Sequence, residues 1–231
     1  MMEASERGGR RIGLYGGTFA PPHAGHVHAA RAFSRAIQPD IFYIMPAFIP
    51  PHKLIDPSDS PFDRLEMARR AFGGIPYAKT MLRNTNVRGL ELPDFDGDGV
   101  REGGRSYTVN TLRHLWSEGD IYMLVGTDMF LSLPAWREPE EVFRLAHIVL
   151  MRRESDPNET SLIKQAHERY VREFSARITQ IDERALELSS TELRERLAGG
   201  RPIDGLVPSD VEDYIREHGL YGYGANAASE K

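Results

Sequence analysis

The residue types best suited to chemistry lie near the start of the chain, in residues 14–26, which read LYGGTFAPPHAGH. Gly16 and Gly17 lack a Cβ atom, so the backbone there could approach a bulky anion closely. His23 and His26 are three residues apart and would share one face of a helix that begins beside them. The N-terminus of a helix offers unpaired N–H groups and the positive end of the helix dipole, which suit phosphate. The stretch therefore predicts a phosphate-binding loop between a strand and a helix.

The elements that would hold this loop are indicated by the apolar pattern on both sides of it. Residues 11–15 form a short apolar run typical of a buried strand, and apolar residues recur at helical spacing from Val27 to Ile37. A second apolar run, 40–46, predicts a strand that is buried on both faces and parallel to the first. Similar patterns predict strands at 78–82, 121–125, 147–151 and 178–181. They also predict helices at 61–72, 106–115, 138–145 and 161–174, the last one polar, amphipathic and peripheral.

Strands that alternate with helices predict an α/β fold with a doubly wound, Rossmann-like parallel sheet. Ligands of such sheets bind beyond the carboxyl ends of the strands, at the point where the strand order reverses. The last two helices each begin with the spacing of a capping box, at 189–192 and 209–212, and are followed by glycines. We expect a single domain over residues 11–221, with flexible segments at 1–10 and 222–231.

The composition argues against several functional classes. The net charge of −5 disfavours a general nucleic-acid binder, because such proteins carry a basic face. The chain has no cysteine, which excludes disulfides and thiol catalysis. Because no long apolar run is present and residues 1–10 are polar, we expect no membrane span, no secretory signal and a cytoplasmic location. The acidic run 94–99, inside a polar loop at 84–105, does not fit an EF-hand, because the twelfth position counted from Asp94 is Arg105 instead of Glu.

The loop at 16–26 resembles the G-G-[ST]-F-x-P-x-H-x-G-H signature of the HxGH nucleotidyltransferase superfamily, and departs from it at Ala20, where Asp or Asn is frequent. Residues 188–194, LSSTELR, resemble the second signature, I-S-S-T-x-[IL]-R, with Leu188 in place of Ile. Taken alone, this second stretch also fits an ordinary capped helix, although its hydroxyls and its cation would suit a triphosphate. The resemblance implies that the ATP phosphates are bound by Gly16, Gly17, Thr18, Ser189, Ser190, Thr191 and Arg194. It also implies catalytic roles for His23, His26 and Arg194.

Three further stretches, at 50–53, 106–108 and 126–136, resemble bacterial nicotinate-nucleotide adenylyltransferases. By this resemblance Trp136 would stack on the pyridine ring, and Tyr107, Thr108 and the backbone near Arg137 would surround its carboxylate. The implied mononucleotide site comprises His52, Lys53, Tyr107, Thr108, Asp128, Trp136 and Arg137, with Gly126 and Asp128 at the ribose. The loop at 84–105 is longer than the compact segment usual before Ser-Tyr-Thr in this family.

The implied reaction joins ATP and nicotinate mononucleotide to give nicotinate adenine dinucleotide and pyrophosphate. The mononucleotide phosphate has a second pKa of about 6, so it is largely dianionic at neutral pH and needs no general base. Catalysis would consist of positioning two anions and stabilising charge on the α-phosphoryl group and the leaving pyrophosphate. Mg²⁺ would arrive with ATP, bound through the phosphates, and no metal ligands on the protein are predicted.

Other readings of the same residues stay open at the level of the sequence. The acceptor could instead be nicotinamide mononucleotide, phosphopantetheine or a cytidylyl-transfer substrate, and a nucleotide-binding module without turnover is an alternative from another class. A metal site at His23, His26 and His28 is disfavoured, because residues at i, i+3 and i+5 do not all share one helix face. No membrane partner is expected, and the oligomeric state is open, with a homodimer as one option.

Overall fold

The computed structural model describes residues 9–47, 60–80, 107–153, 157–186 and 188–224. Its strands are β1 Arg11–Gly17, β2 Ile41–Pro46, β3 Ala78–Thr80, β4 Asp120–Gly126, β5 Ala146–Arg153 and β6 Ile178–Ala185. Its helices are α1 Ala24–Ile37, α2 Pro61–Phe72, α3 Thr108–Leu115, α4 Thr127–Ser132, α5 Pro139–Leu145, α6 Pro157–Phe174, α7 Ser190–Ala198 and α8 Ser209–His218. Short 3₁₀ turns lie at Leu133–Ala135 and Leu220–Gly222.

The six strands form one sheet in the order β3-β2-β1-β4-β5-β6, and every neighbouring pair is parallel. The chain builds outward from β1 to β3 on one side and returns to place β4 on the other side of β1. The strand order therefore reverses between β1 and β4, and the predicted doubly wound sheet is confirmed. The loops that follow these two strands leave the same edge of the sheet, which is where such folds bind their ligands.

Each face of the sheet has its own hydrophobic core. Helices α1, α2, α7 and α8 supply the core on one face, and α3, α4, α5 and α6 supply the core on the other. Close approach across the first core depends on Gly13, because a Cβ atom there would lie 2.7 Å from the rings of Phe33 and Phe42. In the second core the Tyr170 hydroxyl donates to the Phe130 carbonyl over 3.0 Å, which ties α6 to α4. Among the described residues, no helix combines the length and apolarity needed to cross a membrane.

The predicted strands and helices are found, most of them with ends shifted by one or two residues, and the larger differences concern α4, β6, α6 and α8. Helix α4 was not predicted, β6 runs to Ala185 instead of 181, and α6 begins at Pro157 instead of 161. Helix α6 is amphipathic as predicted, since Ile163 and Tyr170 are buried while most of its other described side chains are exposed or half-buried. The predicted capping box at 209–212 is wrong: the N-cap of α8 is Pro208, and no side chain caps that helix.

Several expectations fall outside the described residues. They concern the loop at 50–53 with His52 and Lys53, the loop at 84–105, and most of the two terminal segments. Residues 9–10 and 222–224 are described, and Gly222 closes the last 3₁₀ turn.

Candidate active site

Helix α1 is capped by the two histidines of the first signature. His23 is the N-cap residue with an extended backbone, and its Nδ1 accepts a hydrogen bond from the His26 backbone N–H over 3.3 Å. In return, the His23 backbone N–H donates to the Nδ1 of His26 over 3.2 Å. The two imidazole rings are stacked, with their centroids 3.6 Å apart. This reciprocal arrangement is a capping box in which imidazole replaces the usual hydroxyl and carboxylate.

The capping box determines which ring nitrogens carry protons. Because each Nδ1 accepts an N–H bond, the neutral form of each histidine carries its proton on Nε2. Nε2 lies on the opposite side of each ring from the nitrogen that accepts the backbone bond, so the N–H group of each neutral ring is on that side, near the positive end of α1. Two such donors at a helix N-terminus suit the oxygens of a phosphoryl group.

Glycines near these rings have different roles from one another. A Cβ atom on Gly25 would lie 3.0 Å from the Nδ1 of His23 and 3.1 Å from the Leu186 carbonyl, so Gly25 makes room for the cap itself. A Cβ on Gly17 would lie 2.8 Å from the ring of Phe19. The room beside Gly17 is thus taken by the Phe19 ring, and binding of an anion by the Gly17 backbone stays a prediction. A Cβ on Gly16 would meet nothing within 4 Å in the described part of the chain, so Gly16 leaves space for a ligand.

The loop between β1 and α1 is anchored by a buried aromatic residue. Phe19 is 1% exposed and packs edge-on against Tyr15, Phe72 and the ring of His26, with centroids 5.3, 5.3 and 5.1 Å away. Its φ of 52° lies in the left-handed region, which is costly for an aromatic residue and is maintained by this packing. The loop therefore has little freedom, and the second histidine is held on both sides by rings.

The second signature contacts the first through its side chains. Arg194 of α7 donates from Nη1 to the Ala20 carbonyl over 2.7 Å and from Nη2 to the Thr191 hydroxyl over 3.2 Å. The Ser190 hydroxyl donates to the Pro21 carbonyl over 3.0 Å. The structure thus brings the two signatures together, although 174 residues separate Arg194 from Ala20. Since Arg194 binds a backbone carbonyl, the unusual side chain at position 20 does not prevent this bracing.

The cap of α7 follows the prediction in part. The Ser189 hydroxyl accepts from the Glu192 backbone N–H over 3.1 Å, as the predicted capping box requires. The Glu192 carboxylate pairs instead with Arg196, one turn further along the helix, over 3.1 Å. The N-terminus of α7 is therefore capped from one side, and the Ser189 and Thr191 side chains are exposed beside the first signature.

The predicted mononucleotide residues gather on the other side of the strand reversal. The Tyr107 ring lies under the guanidinium of Arg137 at 4.8 Å, so the start of α3 and the segment after Ala135 meet. The Trp136 indole N–H donates to the Ser132 hydroxyl over 3.2 Å, and its ring packs partly against the second core. Thr108 is the first residue of α3 and lies beside this pair.

The turn after β4 completes this side of the site. Gly126 is the N-cap of α4, and a Cβ atom there would meet nothing within 4 Å among the described residues. Asp128 lies in the first turn of α4 and is exposed. Thr127 between them is buried, and its hydroxyl has no hydrogen-bond partner in the described residues, a condition that bound ligand or water usually relieves. Sequence analysis named the neighbours Gly126 and Asp128 but not Thr127, because the stretch 126–136 does not show which of its side chains is buried.

The donor set indicates which ligand the α1 side can hold. Its polar groups are backbone N–H groups, imidazole N–H groups and a guanidinium, all of which favour an anion. No cluster of three His, Asp or Glu side chains suited to a metal ion occurs within the residues that the structure describes. The His-x-x-His cap could have been found in the sequence, because its spacing is that of any N-cap and N3 pair.

Comparisons with known proteins agree with this geometry. Residues 14–196 match the family model described as cytidylyltransferase-like. The chain is 37% identical over 222 residues to a probable nicotinate-nucleotide adenylyltransferase of Marinobacter nauticus, covering 90% of this chain and 95% of that protein. It is 34% identical over 232 residues to one of Desulfatibacillum aliphaticivorans, covering 91% and 99%.

A solved structure shares the fold. Plasmodium falciparum nicotinic acid mononucleotide adenylyltransferase complexed with NaAD superposes with a TM-score of 0.63 at 16% identity, over 93% of this chain and 98% of that one. The family resemblance stated from the signatures is thereby confirmed. The two signatures are in contact, and these relatives match the chain along nine-tenths of its length. The chain therefore belongs to the nicotinate-nucleotide adenylyltransferase family of cytidylyltransferase-like nucleotidyltransferases.

Proposed function

We propose that the protein transfers the adenylyl group of ATP to nicotinate mononucleotide, giving nicotinate adenine dinucleotide and pyrophosphate. The observation that carries the proposal is the reciprocal cap of His23 and His26, which fixes two Nε2–H donors at the N-terminus of α1. A phosphoryl group beside these donors gains negative charge as the reaction proceeds. Preorganised donors of this kind lower the barrier without any proton transfer.

The ATP phosphates would lie between the N-termini of α1 and α7. Gly16 leaves the backbone open to them, Thr18 and the serines of α7 add hydroxyls, and Arg194 supplies a positive charge next to the loop. An oxygen of the mononucleotide phosphate would attack the α-phosphorus, and the bond to the β-phosphate oxygen would break. Pyrophosphate would leave with both electrons of that bond. Mg²⁺ would be held mainly by phosphate oxygens and water, because the side chains at this end are donors.

The mononucleotide would occupy the space beyond β4. Trp136 would provide a flat face for the pyridine ring. Tyr107 and Thr108 would approach the carboxylate together with the backbone at Arg137, and Asp128 and Gly126 would face the ribose hydroxyls. His52 and Lys53, from the loop outside the described residues, complete the proposed set. The relatives at 37% and 34% identity carry the name of this activity, which supports the choice of acceptor.

Preference for the acid over the amide tests the proposal. Backbone N–H groups and the Thr108 hydroxyl can donate to both oxygens of a carboxylate, but the amide NH₂ would confront them with another donor. Each buried mismatch costs about 1–3 kcal/mol, so one or two give roughly tenfold to several-thousandfold discrimination. We expect kcat/KM for nicotinate mononucleotide to exceed that for nicotinamide mononucleotide at least tenfold.

The measurement is dinucleotide formation from ATP with each mononucleotide in parallel assays. Trp136→Ala should lower kcat/KM for both acceptors alike, because stacking does not distinguish the acid from the amide. Thr108→Val should lower the ratio itself. Equal kcat/KM for acid and amide in the wild-type protein would overturn the assigned acceptor, and absence of pyrophosphate release with either would overturn catalysis.

A further inference from the structure

An ion pair outside the proposed contacts joins the two halves of the mononucleotide pocket. One half is the start of α3, with Tyr107 and Thr108, and the other is the segment that carries Trp136 and Arg137. These halves come from different elements, separated by β4 and α4. The relative position of the two halves determines whether the pyridine ring can stack on Trp136 while its carboxylate contacts the start of α3. A contact that holds the halves in place therefore affects binding of the acceptor.

The ion pair is formed by Arg113 of α3 and Glu138, the N-cap residue of α5. Two guanidinium nitrogens contact the two carboxylate oxygens: Nη1 to Oε1 at 3.3 Å, and Nη2 to Oε2. A third nitrogen, Nε, lies 3.6 Å from Oε1 of Glu141. The hydrogen bond from Arg113 lowers the pKa of the Glu138 carboxyl, and the same bond raises the pKa of Arg113. This fork-to-fork geometry gives direction as well as attraction.

Glu138 is also under backbone strain. Its φ is 52° and its ψ is 60°, a left-handed conformation that a residue with a Cβ atom adopts at a cost. Such residues persist where the surroundings determine the conformation, and they concentrate near functional sites. Here the bond to α3 is a surrounding contact that holds Glu138, and the chain turns at this point from Trp136 and Arg137 into α5.

A second contact runs parallel to the ion pair. The Arg137 guanidinium lies 4.8 Å above the Tyr107 ring, and its Nε is 3.6 Å from Oε1 of Glu138. Glu138 thus receives cations from both halves of the pocket. The contacts converge on one carboxylate that touches neither the pyridine ring nor the phosphates in the proposed arrangement.

We propose that Arg113 and Glu138 are positioning residues for the acceptor, holding the carboxylate-binding start of α3 against the stacking surface of Trp136. This inference rests on the proposed function, since it assumes that Trp136 and Thr108 meet the pyridine ring. It assigns no contact with substrate to either residue. It predicts that loss of the ion pair weakens acceptor binding selectively and leaves the ATP side unaffected.

The test compares Arg113→Met with a matched control, Arg169→Met on α6. Arg169 also pairs with a carboxylate, that of Glu173 at 2.7 Å, and its side chain is 52% exposed against 46% for Arg113. Arg113→Met should raise KM for nicotinate mononucleotide about fivefold, the upper range for an exposed pair, and should leave KM for ATP within twofold. Arg169→Met should change neither.

A conservative variant and a ligand-free measurement complete the experiment. Arg113→Lys keeps the positive charge but loses the two-nitrogen contact with Glu138, so its KM for nicotinate mononucleotide should lie between those of Arg113→Met and wild type. In the ligand-free protein, the indole N–H of Trp136 should show a lower heteronuclear NOE, and so more motion, in Arg113→Met than in wild type. The chain has two tryptophans, so the Trp116→Phe variant identifies the Trp136 signal. The NOE does not depend on turnover, so it tests the positioning role by itself. Absence of dinucleotide formation by the wild-type protein would instead overturn the proposed function. An unchanged NOE, or equal increases in both KM values, would overturn the inference.

Discussion

The proposed catalytic role of His26 can be tested separately from its structural role in the cap of α1. His26→Ala removes the ring that accepts the His23 backbone N–H at 3.2 Å, and it removes the Nε2–H donor as well. His26→Glu places at N3 the residue type that capping boxes ordinarily use, so the carboxylate can accept the same N–H. That variant preserves the cap but offers the phosphoryl group no donor.

The magnitudes expected for these two variants differ in an informative way. Loss of one capping bond costs about 0.5–2 kcal/mol of stability, so His26→Ala should unfold at lower urea concentration. Both variants lose the contacts of the His26 ring with His23 and Phe19, but His26→Glu should be more stable than His26→Ala by about 0.5–2 kcal/mol, since it keeps the cap and adds a negative charge at the helix N-terminus. Loss of a preorganised donor costs about 10²–10³ in rate, equivalent to roughly 2.7–4 kcal/mol. This loss should appear in His26→Ala and be at least as large in His26→Glu, whose carboxylate also repels the phosphate oxygens.

The assay pairs urea unfolding with single-turnover formation of dinucleotide at saturating substrates. His26→Ala should still bind ATP, because the backbone N–H groups and Arg194 remain. The reasoning would be refuted if His26→Glu kept more than about a fifth of the wild-type rate, since donation would then be dispensable. The reasoning would also fail if each variant lost activity only in proportion to its loss of unfolding free energy. The cap would then account for the whole effect of His26.

Three further expectations concern the loop, α7 and the packing of α8. Arg194→Ala should raise KM for ATP far more than KM for the mononucleotide. Arg194→Lys should bring KM for ATP only partly back toward wild type, because the fork geometry of the guanidinium is lost. Equal increases in both KM values would indicate general damage to α7. Gly25→Ala should lower kcat while the free energy of unfolding stays nearly unchanged, because the higher helix propensity of Ala offsets the crowding by a Cβ only 3.0 Å from the His23 ring. Gly16→Ala, whose Cβ would lie in open space, should instead raise KM for ATP. Kinetics and urea unfolding of both variants check these two expectations. Burial, reinforced by the hydrogen bond to Asp63, raises the pKa of Tyr214 to about 12. The stability that Tyr214 contributes in its protonated form is therefore fully present below the unfolded pKa of about 10 and is lost between roughly pH 10 and 12. In Tyr214→Phe, the free energy of unfolding should consequently fall less steeply with pH over that window.

The sequence predicted well wherever one element carries its own signal. Helix α2 begins at Pro61 after the Ser60 cap and ends before Gly73, as the Pro and Gly positions indicate. The apolar runs of β2 and β4 identified the central strands because parallel strands covered on both faces leave few polar positions. Helix α4 was missed because six residues are too few to show helical periodicity. The end of β6 was missed because its polar residues alternate at the sheet edge, and the run ITQIDERA lacks the apolar continuity of a central strand.

The two signatures, and with them the family, are properties of the sequence alone, since residue type and spacing carry them. What each of these residues contacts was decided by the tertiary structure. Gly17 and Gly25 look alike in the sequence, yet one accommodates Phe19 and the other His23. The protonation pattern of the histidines depends on which nitrogen meets the backbone, and the bond from Arg194 to Ala20 depends on how α7 packs beside the loop. Spacing determines which side chains share a helix face, but contacts between distant segments arise only when the cores bury their apolar surface and bring those segments together.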